Sequence, residues 1–448
     1  YSYITSARVA SLLFSGDVTL EATYSLNVTA PLTVAPGGTR TTLSLFSPQV
    51  SIYAPMTLNN AALNVNTQQS VEDGILVAAD VRSLKTISLT GSDIFIDDAV
   101  LSAFSVSLTA SPTSGARIGQ TSASSIVANN LVITQPSEAV LSVALNSPRN
   151  QAATLDVTAH DASITLNSLS GGALDVRGAV ATTLALTTDT GITQNGGPLA
   201  VGGAFTLTST AGNVALTNSA NDFGGLVTFD AAGDLSLTSS GSLQATGSAD
   251  GDIALTALAG RFILGGDIST LCNCSTTSID ISGVGFNNAA GGLLLGPAGS
   301  RFFIRSSDWT LDNLGPLNFG GGAHDVNYVV YNGWGGADPA SGNGYYTNRD
   351  AFAIVPAADA PPVSRVYNGL TTFAHTQTGS SGSIRVDNGE GISLLEALTS
   401  YTANSTGTFF NKNVGTDKGY TVAASSNVVA TGNSREGRNP VGFAFELG

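Results

Sequence analysis

Between Ala204 and Thr256 the chain repeats one phrase: Phe205-Thr206-Leu207-Thr208, Val214-Ala215-Leu216-Thr217, Leu235-Ser236-Leu237-Thr238 and Ile253-Ala254-Leu255-Thr256. Each copy is a short alternating strand ending in Leu-Thr, followed by a turn of Gly, Asn, Asp and Ala. Three copies enter through Gly212-Asn213, Gly233-Asp234 and Gly251-Asp252. Ile164, Leu184, Phe205 and Leu226 open similar strands at steps of 20, 21 and 21 residues, and Asn213, Asp234 and Asp252 follow one another at 21 and 18. A period near 20 is too short for a sandwich domain and suits one coil of a solenoid. Alternation half-buries each strand, with apolar residues on one face and Thr or Ser on the other. Gly, Asn and Asp supply the corner conformations. One coil cannot bury its apolar face alone, but stacked coils close a continuous core. The phrase therefore predicts a right-handed parallel β-helix.

The same grammar extends outward. Val18–Ala22, Leu43–Phe46, Val50–Tyr53 and Leu63–Asn66 read as early strands, and Ile87–Leu89, Val106–Leu108, Leu131–Ile133, Leu155–Val157 and Leu184–Leu186 as later ones. Uneven spacing suggests loops budding at Ser111–Ser125 and Ser147–Ala152. Stacking residues 15–300 at about 20 per coil gives roughly 14 coils and a rod of roughly 65–70 Å at ~4.8 Å per strand. A solenoid end exposes strand edges that need a cover, so the apolar segment Tyr1–Phe14 is expected to be a cap or a docking strand.

At Gly299 the composition shifts. Residues 301–356 hold Trp309 and Trp334 together with Tyr328, Tyr331, Tyr345 and Tyr346. This segment reads as an aromatic cap over the solenoid (residues 1–300). The functional alternative is a carbohydrate-binding platform on Trp309, Trp334, Tyr331 and Tyr345, because aromatic faces stack on sugars. Residues 357–362, ending Pro361-Pro362, form a stiff linker. Residues 363–448 form a small β-sandwich or β-grasp-like domain ending in the alternating strand Val441–Leu447.

Composition narrows the function. The chain has 52 glycines, 11% charged residues and a net charge of −15, which argues against a nucleic-acid or anionic-membrane partner. No apolar run approaches the length of a membrane span. The chain starts at Tyr1 rather than Met and is expected to be a processed or excised piece.

Enzymes also use parallel β-helices. Their sites need carboxylates clustered with a basic residue or metal. Here the acids are mostly single corner Asp residues such as Asp161, Asp222, Asp234 and Asp252, which turn chemistry explains. Asp97-Asp98 and Glu72-Asp73 are the best acid pairs, but neither has a basic partner at coil spacing. His160, His324 and His375 lie far apart. No zinc spacing, nucleophile elbow or phosphate loop is present. The reading is a non-enzyme without cofactor or metal; a polysaccharide-cleaving β-helix is its rival. Thr-x-Thr steps raise an ice-binding reading, which the irregular spacing disfavours. Cys272-Asn273-Cys274 is a strained spacing for a bridge, yet at a corner in an oxidising environment a disulfide is favoured over free thiols.

Two stretches carry a resemblance. Asn218-Ser219-Ala220-Asn221-Asp222-Phe223-Gly224-Gly225 leading into Leu226-Val227-Thr228-Phe229 resembles the coil phrase of filamentous-haemagglutinin-type exoproteins, and Ser300–Asp308 with Leu317-Asn318-Phe319 resembles the segment closing such helices. Arg365-Val366-Tyr367-Asn368-Gly369-Leu370-Thr371-Thr372 with Asn411-Lys412-Asn413-Val414-Gly415 is similar to the small Tyr-Asp-Gly-type β domains that follow them, with Tyr-Asn-Gly in place of Tyr-Asp-Gly and without the usual Gly-Asn-Tyr ending. The resemblance implies export by a Gram-negative bacterium through an outer-membrane secretion partner. It also implies a place on the outer cell surface as an adhesin or fibre that meets glycans or host cells. The family's amino-terminal secretion domain is not evident in residues 1–75, so the piece is expected to begin downstream of it. Both termini are alternating apolar segments, and a second copy is a further expected partner. In that arrangement Phe443, Phe445 and Leu447 of one chain meet Tyr3 and Ile4 of the next, head to tail, as a filament.

Overall fold

A computed structural model describes residues 3–37, 40–67, 74–111, 115–135, 140–159, 161–168, 172–272, 277–317, 325–326, 328–330, 342–347, 352–354, 372–379, 383–385, 396–409, 420–422 and 427–432. The chain divides into two compact units, one of residues 1–283 with 288–300, the other of residues 284–287 with 301–448.

The first unit is an all-β parallel solenoid of about 12 turns. One face stacks strands such as Thr41–Phe46, Ala61–Asn66, Thr86–Gly91 and Val100–Ala110, and the opposite face stacks Gln49–Ile52, Gly74–Val77, Asp93–Ile96 and Ala116–Gln120. A short third side, Leu32–Val34, Met56–Leu58 and Val81–Ser83, joins the first face where Val100–Ala110 pairs with both Val81–Ser83 and Thr86–Gly91. Pairings among the described strands of this unit are parallel, with register shifts at Leu155/Asp156 and Ala245/Gly247, and a rung advances the sequence by as few as 18 residues (Leu235 to Ile253) and as many as 26 (Ile253 to Ile279). That longer average step leaves about 12 turns where 20 per coil predicted 14. At ~4.8 Å per rung the stack is roughly 55–60 Å tall.

Alternation sets the core. Leu43 and Leu45, Val50 and Ile52, and Leu63 and Val65 point inward with essentially no exposed surface, and each such burial is worth roughly 1.5–3 kcal/mol. The repeated phrase turns out to occupy both faces. Phe205–Ser209 stacks on Thr183–Thr188, whereas Val214–Leu216, Leu235–Ser239 and Ile253–Ala257 stack on one another across the core. The partner of Phe205 is Val227, not Leu226, because Val227 is the residue that points inward (0% exposed). A one-residue slip would turn that strand inside out.

Two expected loops are part of the coil instead. Ala116–Gln120 is a strand of the second face. Ser147 and Asn150 are the buried ends of a tight corner whose central Pro148 and Arg149 are exposed. Asn150 Oδ1 accepts from the Ile126 amide at 2.9 Å and Gln120 Nε2 at 3.1 Å, while its Nδ2 donates to the Leu145 carbonyl. Asn221 repeats this device. Its Oδ1 accepts from the Leu199 amide and Gln194 Nε2, each at 2.8 Å, and its Nδ2 donates to Gln194 Oε1 and the Leu216 carbonyl. Asn221→Ala leaves the buried Leu199 amide and Leu216 carbonyl without these partners and is expected to cost about 2 kcal/mol. Urea denaturation checks this, and an unchanged midpoint would contradict the role given to the side chain.

The amino-terminal segment is a cap, and it is helical rather than an added strand. Thr5 caps the helix Ser6–Leu13 by accepting from the Arg8 amide at 3.3 Å. Val9 and Leu13, four residues apart and so on one helical face, are its buried residues. The Leu13 carbonyl accepts from Thr41 Oγ1 at 2.8 Å, which ties the cap to the first-face strand Thr41–Phe46. Tyr3 and Ile4 precede the helix and are exposed at 93% and 45%.

In the second unit, Arg301–Ser306 and Tyr328–Val330 each pair in parallel with Gly344–Thr347. Farther along, Glu396–Phe409 pairs antiparallel with Thr372–Gly379, Ser383–Arg385, Tyr420–Val422 and Asn427–Gly432. The linker 357–362 and the expected strand Val441–Leu447, with Phe443, Phe445 and Leu447, lie outside the described residues.

Candidate functional site

The aromatic segment was the foremost sequence candidate. Its geometry is that of packing. Trp309 opens the short 3₁₀ turn Trp309–Leu311 and is half-buried. Tyr345 is buried at 5% exposure, and its hydroxyl donates to Asp312 Oδ2. Its ring is therefore a core surface, not an open stacking face. Trp334 and Tyr331 lie outside the described residues.

Asp312 is the hub of this region. Its Oδ1 accepts from the Phe286 amide at 2.7 Å and from Ser306 Oγ at 2.8 Å. Three chain segments thus converge on one buried carboxyl. Burial pushes its pKa up and the Asp308 charge adds to that, against the lowering effect of the bonds from Tyr345, Phe286 and Ser306. On the strand that carries Ser306, Arg301 and Arg305 lie over the Phe303 ring at 4.7 and 5.3 Å, and Arg305 also covers Tyr346 at 4.3 Å. Phe303 meets Tyr346 edge-on at 5.4 Å. The alternation Arg301-x-Phe303-x-Arg305 puts these three side chains on one side of a strand, and that spacing is the signal in the sequence that marks them. Stacking of this kind holds guanidinium planes in place.

The acid pair Asp97-Asp98 sits at a corner. Asp98 has φ +46°, a left-handed turn conformation that Asp tolerates. Its amide donates to Thr121 Oγ1 at 3.0 Å, and that hydroxyl lies 3.1 Å from Asp98 Oδ1. These contacts belong to turn chemistry. Glu72-Asp73, His160 and His324 lie outside the described residues, and His375 is placed on the strand Thr372–Gly379. Among the described residues no three His, Cys, Asp or Glu side chains converge as a metal site would require. Cys272 is disulfide-bonded, and Cys274 lies outside the described residues.

The most ordered polar feature is a ladder down one corner of the solenoid. Asn213 Oδ1 accepts from the Asp234 amide at 2.9 Å, and Asp234 Oδ1 accepts from the Asp252 amide at 2.9 Å. Gly212, Gly233 and Gly251 stack immediately before them. A Cβ on Gly233 would lie 2.3 Å from Asn213 Oδ1, and one on Gly251 would lie 2.1 Å from Asp234 Oδ1. Glycine is what lets the side chain of one rung reach the backbone of the next. At Asp252 the ladder changes character. Its pKa is raised, first by burial and then by the neighbouring Asp234 charge.

Outward rows on the second face are hydroxyl-rich but broken. Thr165, Ala185, Thr206, Thr228 and Thr246 stack in one row, and Asn167, Thr187, Thr208, Asp230 and Ser248 in the next. Ala185 and Asp230 interrupt any regular threonine lattice.

Residues 159–230 match a family model described as repeats of unknown function (DUF5649). The match spans four second-face strands, Asp161–Ser168, Thr183–Thr188, Phe205–Ser209 and Leu226–Ala231. No curated protein and no solved structure matches the chain. The fold and this match define a β-solenoid repeat protein.

Proposed function

We propose that this chain is a non-catalytic structural or adhesive protein of the outer surface of a Gram-negative bacterium. In this reading it is exported through an outer-membrane secretion partner, as the filamentous-haemagglutinin-type phrase implies. The observation that carries the reading is the parallel stack, whose outward rows on the second face are mostly hydroxyl and amide side chains. Such a surface suits repeated weak hydrogen bonding to glycans and spacing of a terminal domain away from the cell. The coil is taken as right-handed, as crossovers between parallel strands nearly always are, and the terminal unit as a small β-sandwich or β-grasp-like domain. A head-to-tail filament would use the exposed Tyr3 and Ile4 and the carboxy-terminal Phe443, Phe445 and Leu447.

The test is binding of the purified chain to immobilised glycans and host cells, together with surface labelling of the producing cells. Saturable binding plus surface labelling is the expected result. Surface labelling without binding would leave a purely structural fibre. Polysaccharide cleavage abolished by Asp97→Asn or Asp98→Asn would overturn the non-enzyme reading. Deleting Gly442–Gly448 is expected to abolish fibres in electron micrographs, and fibres that persist would remove the head-to-tail contact.

A further inference from the structure

We propose that Asp234, Asp252 and Ser278 form a binding site for a divalent cation of the calcium class. Three observations support it, and it does not depend on the adhesin reading.

The first is spacing. Asp234 and Asp252 occupy the same position on adjacent rungs, because Leu235 pairs with Ile253. Rungs are ~4.8 Å apart, close to the span of two calcium–oxygen bonds of ~2.4 Å. Two carboxylates at that separation repel unless a cation or proton lies between them. Among the described residues neither forms an ion pair, the salt bridges being Arg82–Asp80 and Arg177–Asp175.

The second is an unmet oxygen. Asp234 spends Oδ1 on the Asp252 amide, continuing the pattern set by Asn213, and its Oδ2 accepts only a long 3.4 Å contact from Asn213 Nδ2. Asp252 does not continue it: its Oδ1 is buried and has no hydrogen-bonding partner.

The third is independent of the acids. Ile253 pairs with Ile279, which places Ser278 beside Asp252 on the next rung. Ile253 and Ile279 both point into the core, so strand alternation turns Asp252 and Ser278 to the same side. Ser278 has no exposed surface, and its Oγ, like Asp252 Oδ1, has no partner. Two buried, unpartnered oxygens on neighbouring rungs call for a third atom between them. Beside two neighbouring carboxylates, where burial and the Asp234 charge both raise the Asp252 pKa, a cation meets that need with opposite charge. Hard oxygen donors select calcium or magnesium over thiophilic metals. Donors set by rung spacing rather than by an octahedron favour the more tolerant calcium. Two carboxylates and one hydroxyl, completed by water, place the affinity among the weak extracellular sites, with a dissociation constant on the order of 10⁻⁴–10⁻³ M.

Calorimetric titration of calcium chloride into the full chain, freed of metal beforehand, tests this. Saturable binding in that range is expected, weaker with magnesium. Asp252→Asn is expected to weaken it at least tenfold, and Ser278→Ala severalfold. Asp252→Asn should fold normally, since Asn213 already fills the equivalent position one rung below Asp234; its circular-dichroism spectrum and calcium-free melting temperature should equal or exceed those of the parent. Asp98→Asn, an acid at another corner, should leave binding unchanged. Absence of saturable binding, or equal binding by Asp252→Asn, overturns the site.

Discussion

Gly212→Ala is expected to destabilise the solenoid by about 3–4 kcal/mol, far more than a surface Gly→Ala usually does. Gly212 sits at φ +81°, in the left-handed region, where a Cβ costs roughly 1–2 kcal/mol. The larger obstacle is the rung beside it. A Cβ on Gly212 would lie 1.7 Å from the Thr190 carbonyl oxygen and 2.8 Å from its carbon. Those atoms are backbone and cannot swing aside, so the two rungs must part. Parting them stretches the bond from the Ile192 amide to the Asn213 carbonyl, now 2.9 Å. Faster hydrogen exchange at Ile192 should therefore accompany a lower urea midpoint. Gly202→Ala is the control, because a Cβ there meets nothing within 4 Å, and it should be near neutral or slightly stabilising. Equal effects at the two positions would refute the close-approach argument.

The contrast between these glycines shows what could be read from the sequence. Alternation is local, so the inward residues of each strand were legible, and so were the corners, because Gly-Asn and Gly-Asp have few other uses. Face membership was not. Phe205-Thr206-Leu207 and Val214-Ala215-Leu216 have the same texture, yet they lie on opposite faces. Membership is decided by how many corners intervene, and a corner of Gly, Asn and Ala carries no count. The one-residue register at Val227 was hidden because Leu226 is also apolar, and only the pleat decides between them. The amino-terminal helix was hidden because Val9 and Leu13 satisfy a helical spacing inside a segment whose texture also fits a strand.

Long-range polar contacts were least legible. Nothing local in Asn150 or Asn221 separates a buried corner bracket from an exposed turn former. Asp252 and Ser278 come onto neighbouring rungs through a register 26 residues long. Tyr345 looked like a ligand platform because Tyr and Trp cluster around it in sequence. Its role is fixed instead by Asp312, 33 residues away. Residues that a periodic fold brings together across rungs differ in sequence separation from coil to coil, so no single spacing rule finds them.

That partnership gives the largest expected effect in the second unit. Asp312→Ala should cost about 3–4 kcal/mol, because it removes the acceptor of the buried Tyr345 hydroxyl and Phe286 amide at once and leaves the Ser306 hydroxyl only its longer contact with the Val284 carbonyl, and each unmet donor costs roughly 1–3 kcal/mol, less than additively. Asp312→Asn keeps an acceptor oxygen for Phe286 and Ser306 and offers Tyr345 an amide, so its cost should be nearer 1 kcal/mol. The two variants also differ from the parent in pH dependence. A carboxyl whose folded pKa lies above its unfolded value binds its proton more tightly when folded. The stability it contributes is fully present below the ordinary value of 3.8 and is lost as pH rises through the raised value. Neither alanine nor asparagine titrates at this position. The parent's advantage over Asp312→Asn should therefore be greatest near pH 3.8 and shrink as the pH is raised, while the acid titrations common to both proteins cancel in the difference. Near-ultraviolet circular dichroism and hydrogen exchange at Ile304 and Tyr345 would follow the second unit directly. An advantage that grows with pH would mean that Asp312 is held ionised by its three donors, and that burial is not the dominant influence on it.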